Sequence, residues 1–189
     1  MGFKTFADGN VLTAADVNDY LMKQAVIVCT AGTRPGSPVE GMTIYQTDTD
    51  TVLVYNGSAW TQVTPATATV DAEETHTAGS YGDLSTSGPA VTLTTGTKAI
   101  VLVSCQAKHS VLGTSLRMSW AVSGATTIAA QDTWGTVVNA PVAGYYTQLG
   151  RQYQISGLTA GSNTFTAKYM GGAATGSFLR RTITVWPIP

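Results

Sequence analysis

Apolar and polar residues alternate with a period of two along the C-terminal part of the chain. The clearest alternation spans residues 115–122, and residues 163–170 repeat it. The alternating apolar side chains are Leu116, Met118, Trp120, Val122, Phe165, Ala167 and Tyr169. This period predicts strands that bury one face.

Further candidate strands are spaced closely along the same part of the chain. They cover residues 90–93, 98–107, 126–130, 136–138, 149–156 and 178–186. Glycine-rich turns separate them, at 95–96, 123–124, 157–161 and 171–172. Many short strands with frequent turns predict a sandwich or barrel, which we place at residues 79–189.

One strand departs from the alternation. Residues 100–105 are apolar almost throughout, which predicts burial on both faces of a sheet. A single sandwich covers only one face of each sheet, so the second face is expected at a subunit interface. The residues assigned to that interface are Ile100, Leu102 and Val185.

A well-specified helix start lies near the N-terminus. Thr13 is a good N-cap and Asp16 stands at the third helical position, the spacing of a capping box. Leu12 can pack on Val17 as a hydrophobic staple. The helix is predicted from about residue 14 to 24, with Val17, Tyr20, Leu21 and Gln24 on one stripe.

A small β-meander follows the helix. An exit strand is expected at 25–28, a loop at 29–42 and three strands within 43–63. Asn56-Gly57 predicts a two-residue type I′ turn. Because three strands are barely stable alone, this sheet must pack on the helix, the sandwich or other copies. We divide the chain into an anchor at 1–64, a linker at 65–78 and the sandwich.

Composition narrows the possible functions. Of the 189 residues only 11% are charged, against about 25% in ordinary globular proteins. Net charge is -1, and the only adjacent basic pair is Arg180-Arg181, so nucleic-acid binding is not expected. No stretch approaches ~18 apolar residues, so no membrane insertion is expected. The first residues lack the apolar region of a secretory signal.

Candidate chemistry is sparse. Cys29 and Cys105 are expected to be buried free thiols, with a disulfide as the alternative. Residues 78–82 superficially match a nucleophile elbow, but they lack the flanking strand and helix and are predicted to form a turn. His76 and His109 are expected at the surface without catalytic partners.

Metal sites are also not expected. Asp48 and Asp50 could begin a calcium loop, but the required glycine and distal glutamate are missing, which favours a plain turn. The acidic residues Asp71, Glu73, Glu74 and Asp83 are expected to be solvated, with a structural cation as the weaker alternative. The sequence thus predicts no catalytic residue, no metal ligand and no cofactor, and the protein is not expected to be an enzyme.

Aromatic residues in the region 130–149 are the best candidates for contact with a partner. They are Trp134, Tyr145 and Tyr146, and glycine or proline interrupts the segments around them. Aromatic side chains on loops often bind sugars or proteins. The alternative is that they belong to the core or an interface.

The N-terminal third resembles the N-terminal segment of minor tail, tail-fibre and head-fibre proteins of tailed bacteriophages. The matching residues are Gly9, 12–17, 20–22, 34–35, 40–41, 44–45, 47–50 and 55–60. The resemblance implies a virion protein, attached to the particle through this segment. Leu12, Val17, Tyr20 and Leu21 are the residues expected to make the attachment.

The C-terminal part carries a second resemblance. Residues 153–169 and 180–185 are similar to C-terminal jelly-roll domains of phage tail and fibre proteins, which themselves resemble the trimeric heads of the complement and tumour-necrosis-factor superfamily. The resemblance implies a jelly-roll-like sandwich and a homotrimer. A fibronectin type III fold is the alternative, since residues 157–161 also resemble a corner of that fold.

These observations combine into one expectation and one alternative. The expected protein is a trimeric minor tail or fibre component of a tailed phage, assembled in the host cytoplasm, released by lysis and contacting a host-surface glycan or protein. The alternative is a capsid head fibre or decoration protein whose role is structural or weakly adhesive. Its partners are other copies of the chain and other virion proteins.

Overall fold

The alternating segments form strands in the computed structural model, which describes residues 7–22, 25–111, 113–139, 142–172 and 175–189. The protein is mainly β, as predicted, with a short helical segment near the N-terminus and two 3₁₀ turns, Ala31–Thr33 and Asp132–Trp134, in the described part of the chain. The strands are β1 (Ile27–Cys29), β2 (Thr43–Gln46), β3 (Thr51–Tyr55), β4 (Trp60–Gln62), β5 (Ala66–Val70), β6 (Glu74–His76), β7 (Ala90–Thr95), β8 (Lys98–His109), β9 (Ser115–Gly124), β10 (Thr136–Asn139), β11 (Thr147–Ser156), β12 (Gly161–Met170) and β13 (Gly176–Ile188).

The N-terminal helix begins where the capping box predicts. Helix α1 (Ala14–Asp16) starts after Thr13, whose hydroxyl accepts from the Asp16 backbone N–H at 3.1 Å. The Asp16 carboxylate accepts from the Thr13 N–H at 3.1 Å in return. A π-helical turn (Val17–Leu21) continues α1, because the Met22 N–H donates to the Val17 carbonyl five residues back. Gln24, on the predicted stripe, lies outside the described residues.

The predicted meander is present as β2, β3 and β4, and β1 adds a fourth strand parallel to β2. Its small core contains Cys29, Ile44 and Leu53. Strand β4 packs on β7 of the sandwich, which supplies the covering that so small a sheet needs.

The Asn56-Gly57 turn differs from the predicted type I′ turn. Only Gly57 has a positive φ, at 89°, and the hairpin loop has four residues between the paired Tyr55 and Trp60. The Asn56 side chain explains this, since its Oδ1 accepts from the backbone N–H groups of Ser58 and Ala59. An asparagine engaged in this way forms its own turn at negative φ.

Two packed sheets form the jelly-roll-like sandwich that the sequence predicts. One sheet has the order β11-β8-β13-β5, with β6 also pairing with β13, and the other has the order β10-β9-β12-β7. The predicted strand at 126–130 is wrong, because only an isolated bridge joins Ile128 to Val122.

The predicted linker at 65–78 also differs from the structure. Strands β5 and β6 lie within it, and both pair antiparallel with β13. In β5 the half-buried residues are Ala66, Ala68 and Val70, and the intervening threonines are exposed. Residues of β5 therefore alternate between half-buried and exposed with a period of two. The alternation was missed because most of its half-buried side chains are small.

Strand β8 does not bury both of its faces within the chain. Its inward residues, such as Val101 and Val103, are fully buried, whereas Ile100 and Leu102 are only half-buried on the outer face. Val185 is fully buried between the sheets. Its assignment to a subunit interface is therefore wrong, because it has no exposed surface to contribute.

Aromatic rings fill the space between the sheets. Trp120 of β9 stacks on Trp134, with ring centroids 5.1 Å apart, and contacts Phe165 of β12 at 5.7 Å. Trp134 also contacts Tyr153 of β11 at 5.8 Å. The Trp134 indole N–H donates to the Trp120 carbonyl at 3.0 Å. Trp134 therefore joins both sheets, and its prediction as a surface contact is wrong.

A β-bulge turns a charged side chain into the core. The pairing of β13 with β8 shifts register between Leu179 and Thr182, and Arg180 there has a φ of +49°. The extra residue in β13 shifts the alternation by one position, so the side chain of Arg181 points into the core and is fully buried. Without it, the alternation that starts at Phe178 would place Arg180 inside.

The buried guanidinium of Arg181 has a carboxylate partner. Its Nη2 lies 3.0 Å from Glu74 Oε2 in an ion pair whose angles are not those of a hydrogen bond, and the guanidinium lies 5.5 Å from the centre of the Tyr169 ring. Glu74 also accepts from the Thr86 backbone N–H and from its hydroxyl, at 3.1 and 2.6 Å. The pair therefore joins β6, β13 and the loop before β7.

Truncating the buried tryptophan should destabilise the fold. We expect Trp134→Ala to lower the free energy of unfolding by about 3–5 kcal/mol, the usual cost of removing a large aromatic side chain from a core. Tyr145→Ala, at a side chain 70% exposed, should change it by less than about 0.5 kcal/mol. Urea denaturation at matched protein concentration measures both, and equal effects would contradict the placement of Trp134.

Breaking the Arg181–Glu74 pair should have a pH-dependent cost. Glu74→Gln leaves a buried guanidinium unpaired, and we expect a loss of about 3–5 kcal/mol near neutral pH. Glu73→Gln at the adjacent, more exposed pair with Lys108 is the control, with an expected change below about 1 kcal/mol.

Hydrogen bonds from Thr86 and the charge of Arg181 lower the pKa of Glu74 below its ordinary 4.5, against the effect of burial. Its stabilising contribution is therefore complete above pH 4.5 and is lost as the pH falls through the folded-state value. The stability difference between wild type and Glu74→Gln should shrink on acidification. A constant difference from about pH 7 to pH 3 would contradict the assignment.

Candidate functional site

The N-terminal helical segment exposes the residues predicted for attachment. No residue of 14–21, all of which the structure describes, is buried. Leu12 and Leu21 are 52% and 44% exposed, and Val17 and Tyr20 are half-buried. Val11, Met22, Val26 and Val28 extend the exposed apolar surface. Water therefore reaches the apolar side chains of Leu12, Leu21 and Met22.

The three aromatic residues proposed for partner contact are separated by the fold. Trp134 is in the core, whereas Tyr145 and Tyr146 remain accessible before β11. The Tyr146 hydroxyl donates to Glu73 at 2.8 Å and accepts from Lys108 Nζ at 2.6 Å. The Lys108–Glu73 interaction raises the pKa of Lys108 and lowers that of Glu73. Tyr146 is thus fixed in place, and Tyr145 beside it projects into solvent.

His109 does not lie at the surface as expected. It is fully buried at the end of β8, its Nδ1 lies 2.9 Å from the Thr114 hydroxyl, and its Nε2 has no hydrogen-bond partner among the residues that the structure describes. Burial lowers its pKa, which favours the neutral ring. His76 is half-buried, with Nε2 3.2 Å from the Ser80 carbonyl.

Cys29 and Cys105 are both buried free thiols, as predicted. Burial raises the pKa of Cys105 to about 12, so the unreactive thiol form dominates near neutral pH.

The remaining candidates hold turns. Asp48 accepts from the Ala31 N–H at 3.1 Å, and Asp50 accepts from the Tyr45 hydroxyl at 2.9 Å. Both residues lie in the turn between β2 and β3. Among the described residues, no group of three or more histidine, cysteine, aspartate or glutamate side chains is placed to hold a metal ion.

A surface groove lies on the outer face of the sandwich sheet β10-β9-β12-β7. It has a volume of about 800 Å³, within the range of small-molecule clefts. Its floor is formed by outward residues of β9 and β12, among them Arg117, Ala121 and Lys168. One wall is the segment 79–83 and the other is 129–132.

Both walls are held by the sandwich itself. The backbone N–H of Gly82 donates to the Tyr169 carbonyl at 2.9 Å, and the backbone N–H of Tyr169 donates to the Gly82 carbonyl at 3.0 Å. On the other side, the Ser119 hydroxyl donates to the Gln131 carbonyl at 2.7 Å, and buried Trp134 ends the short 3₁₀ helix that contains Asp132. Residues 78–82 form a loop that bends at Gly79 and Ser80, without the flanking strand and helix of a nucleophile elbow, and residues 79–82 of this loop lie in one wall of the groove.

Each charge in the groove has an opposite partner. Lys168 Nζ lies 2.7 Å from Asp83 Oδ2, and Arg117 pairs with Asp132. The Tyr81 hydroxyl donates to Asp132 at 2.7 Å.

The groove carboxylates are ionised at neutral pH. Hydrogen bonds from Tyr81 and Arg117 lower the pKa of Asp132. Burial raises the pKa of Asp83, but hydrogen bonds from Lys168 and Ser87 outweigh it and the pKa is lowered overall. Burial and the Asp132 carboxylate raise the pKa of Tyr81, which stays a phenol and a donor.

Sequence reasoning missed this groove because its residues come from four distant segments. Arg117 and Lys168 are outward positions in predicted strands, where charged residues are ordinary. Asp83 had been assigned to a solvated acidic patch, and the structure pairs it with Lys168 instead. No local spacing signals the site.

No helix in the described part of the chain is long and apolar enough to cross a membrane.

No protein-family model matches this sequence, and no curated protein matches it. Several solved structures align with part of this chain. A tumour-necrosis-factor protein, Eiger from S. frugiperda, aligns at a TM-score of 0.47 and 10% identity, over 66% of this chain and 92% of that one.

The VP2 subviral particle of infectious bursal disease virus aligns at a TM-score of 0.46 and 15% identity, over 81% of this chain and 41% of that one. A xylan-binding domain of Paenibacillus barcinonensis Xyn10C aligns at 0.31 and 12% identity, over 66% of this chain and 88% of that one. Because these TM-scores lie below 0.5, function must be argued from this chain's own residues.

Proposed function

We propose that this chain is a non-enzymatic structural virion protein of a tailed bacteriophage, a trimeric minor tail or fibre component that contacts the host surface. The exposed apolar N-terminal segment is the observation on which the proposal rests. Leu12 and Leu21 are about half exposed beside a helix start that the Thr13–Asp16 capping box specifies. A defined helix with uncovered apolar side chains is typical of a segment that docks on a partner.

The sequence resemblance of this segment to phage virion anchors supports the same assignment. A docked anchor would leave the sandwich, which lies C-terminal to it, free to project from the particle. The same mounting would serve a capsid head fibre or decoration protein, which is the alternative.

The outer face of the five-stranded sheet supports a trimer. Ile100 lies beside Trp186 in the register of β8 and β13, and Leu102 lies beside Gln152 of β11. From Ile100 to Ser104 the outward positions of β8 are uncharged, as are their neighbours on β11 and β13, and the Arg180 guanidinium reaches this face only at Gln106, to which it donates. The outward residues of the uncharged area are Ile100, Leu102, Ser104, Gly150, Gln152, Gln154, Thr182, Thr184 and Trp186.

An uncharged face with an apolar centre suits contact between identical copies. Around a symmetry axis each side chain meets its own equivalents, so charges there would repel. Depletion of charge at the centre is also the compositional mark of protein interfaces.

We expect light scattering to give three times the 19.7 kDa mass of one chain. Leu102→Arg should dissociate the trimer, because it places like charges together at the interface. Thr92→Arg, at an exposed position on the opposite sheet, should leave the mass unchanged. A wild-type protein that runs as a monomer would contradict the trimer.

Gold-labelled antibody imaging of intact particles tests the virion assignment. We expect label at the tail, and loss of label in particles assembled with a Leu12→Ser, Val17→Ser, Leu21→Ser variant, because the apolar docking surface is gone. Asn18→Ser on the polar side of the helix is the control and should incorporate normally.

Label spread over the capsid would favour the head-fibre alternative over the tail. Absence of label from wild-type particles would reject the virion assignment. Normal incorporation of the triple variant would reject the anchor.

A further inference from the structure

We propose that the groove on the outer face of the sheet β10-β9-β12-β7 binds a neutral oligosaccharide. The proposal rests on the proposed host-contact function and gives that contact a place and a ligand class. It moves the contact away from Trp134, which is buried, to residues that the fold assembles from β9, β12 and the two walls.

The shape of the groove fits a short chain of sugars. Its volume of about 800 Å³ is open to solvent, and small residues leave that space empty. The small lining residues are Gly79, Gly82, Ala121, Ala129 and Ala130. A side chain at Gly82 would be too close to the His76 ring, since an added Cβ would lie 2.9 Å from its Cε1.

The chemistry of the groove matches vicinal hydroxyl groups. Each sugar hydroxyl both donates and accepts, so neighbouring hydroxyls are best met by a donor beside an acceptor. Lys168 beside Asp83 is one such pair, and Arg117 beside Asp132 is the other. The Tyr81 ring and the Met170 side chain add apolar surface for the C–H faces of a sugar ring.

The charge balance selects a neutral ligand. The two cations and two carboxylates of the groove cancel, and each cation already contacts a carboxylate. A phosphate or uronate would have to compete with Asp83 or Asp132 for its partner. A protein partner would need a deep apolar pocket for an anchoring side chain, and alanine, glycine and polar groups line most of this groove.

The groove is also already formed in the absence of a ligand. Backbone bonds to Tyr169 hold one wall, and Trp134 in the core holds the other. A preformed arrangement of donors and acceptors reduces the ordering cost that weakens polar binding.

The test is a printed array of linear oligosaccharides, two to six sugars long, probed with the full-length protein. Neutral probes of glucose, galactose, mannose and N-acetylglucosamine stand beside probes that carry uronic acid or phosphate. We expect binding to at least one neutral probe, which titration calorimetry then quantifies. Binding to no neutral probe, or to anionic probes alone, would overturn the proposal.

Two variants localise the binding. Ala121→Trp fills the floor of the groove from a half-exposed position and should weaken binding by about tenfold or more. Thr92→Trp places the same side chain outside the groove on the same sheet face and should bind as wild type does. Should Ala121→Trp not fold, Lys168→Met removes one donor and should weaken binding in the same direction. Wild-type affinity in a folded groove variant would overturn the proposal.

The array and the particle imaging test the two proposals separately. Gold label on the tail with no neutral probe bound would reject the groove and keep the virion assignment. A bound probe in a protein absent from the particles would reject the virion assignment and keep the groove.

Discussion

The stack of Trp120 on Trp134 is the contact on which the rest of the sandwich depends. It joins strand β9 of one sheet to Tyr153 on β11 of the other, and the Trp134 N–H is satisfied by the Trp120 carbonyl. Burying the Trp134 ring between the sheets costs less free energy because its N–H has a partner. The same ring fixes the end of the segment that carries Asp132. The packing of the core therefore determines the position of a surface carboxylate.

Charge is scarce in this protein, and the fold uses it at specific places. With only 11% charged residues, the protein pairs Arg181 with Glu74 in the interior and Arg117 with Asp132 at the surface. The interior pair is possible because the bulge at Arg180 turns Arg181 inward. The surface pairs keep the groove neutral. Paired charges of this kind fix the positions of the segments that carry them more than they add to the free energy of unfolding.

The surfaces of the protein differ in chemistry, and each difference suits a different partner. The helical segment exposes apolar residues such as Leu12, the outer face of the five-stranded sheet is uncharged around Leu102, and the opposite sheet carries the polar groove around Lys168. An anchor, a contact between copies and a ligand groove can therefore be present at once without overlapping. Strand β8 shows how this arises, since its period of two sends Val101 to the core and Leu102 outward.

The sequence by itself determined the helix start at Thr13, the strands of the meander and most strands of the sandwich, because capping and period-two alternation act over a few residues. It did not reveal β5 and β6, whose alternation uses alanine and threonine, nor the burial of His109 and Val185, and it left a core and a surface position open for Trp134. Only the tertiary structure decided these, and it alone brought Asp83, Arg117, Asp132 and Lys168 into one groove. Their proximity comes from the pairing of β9 with β12 and from two loops folded over that pair. Contacts between segments so far apart leave no local pattern in the chain.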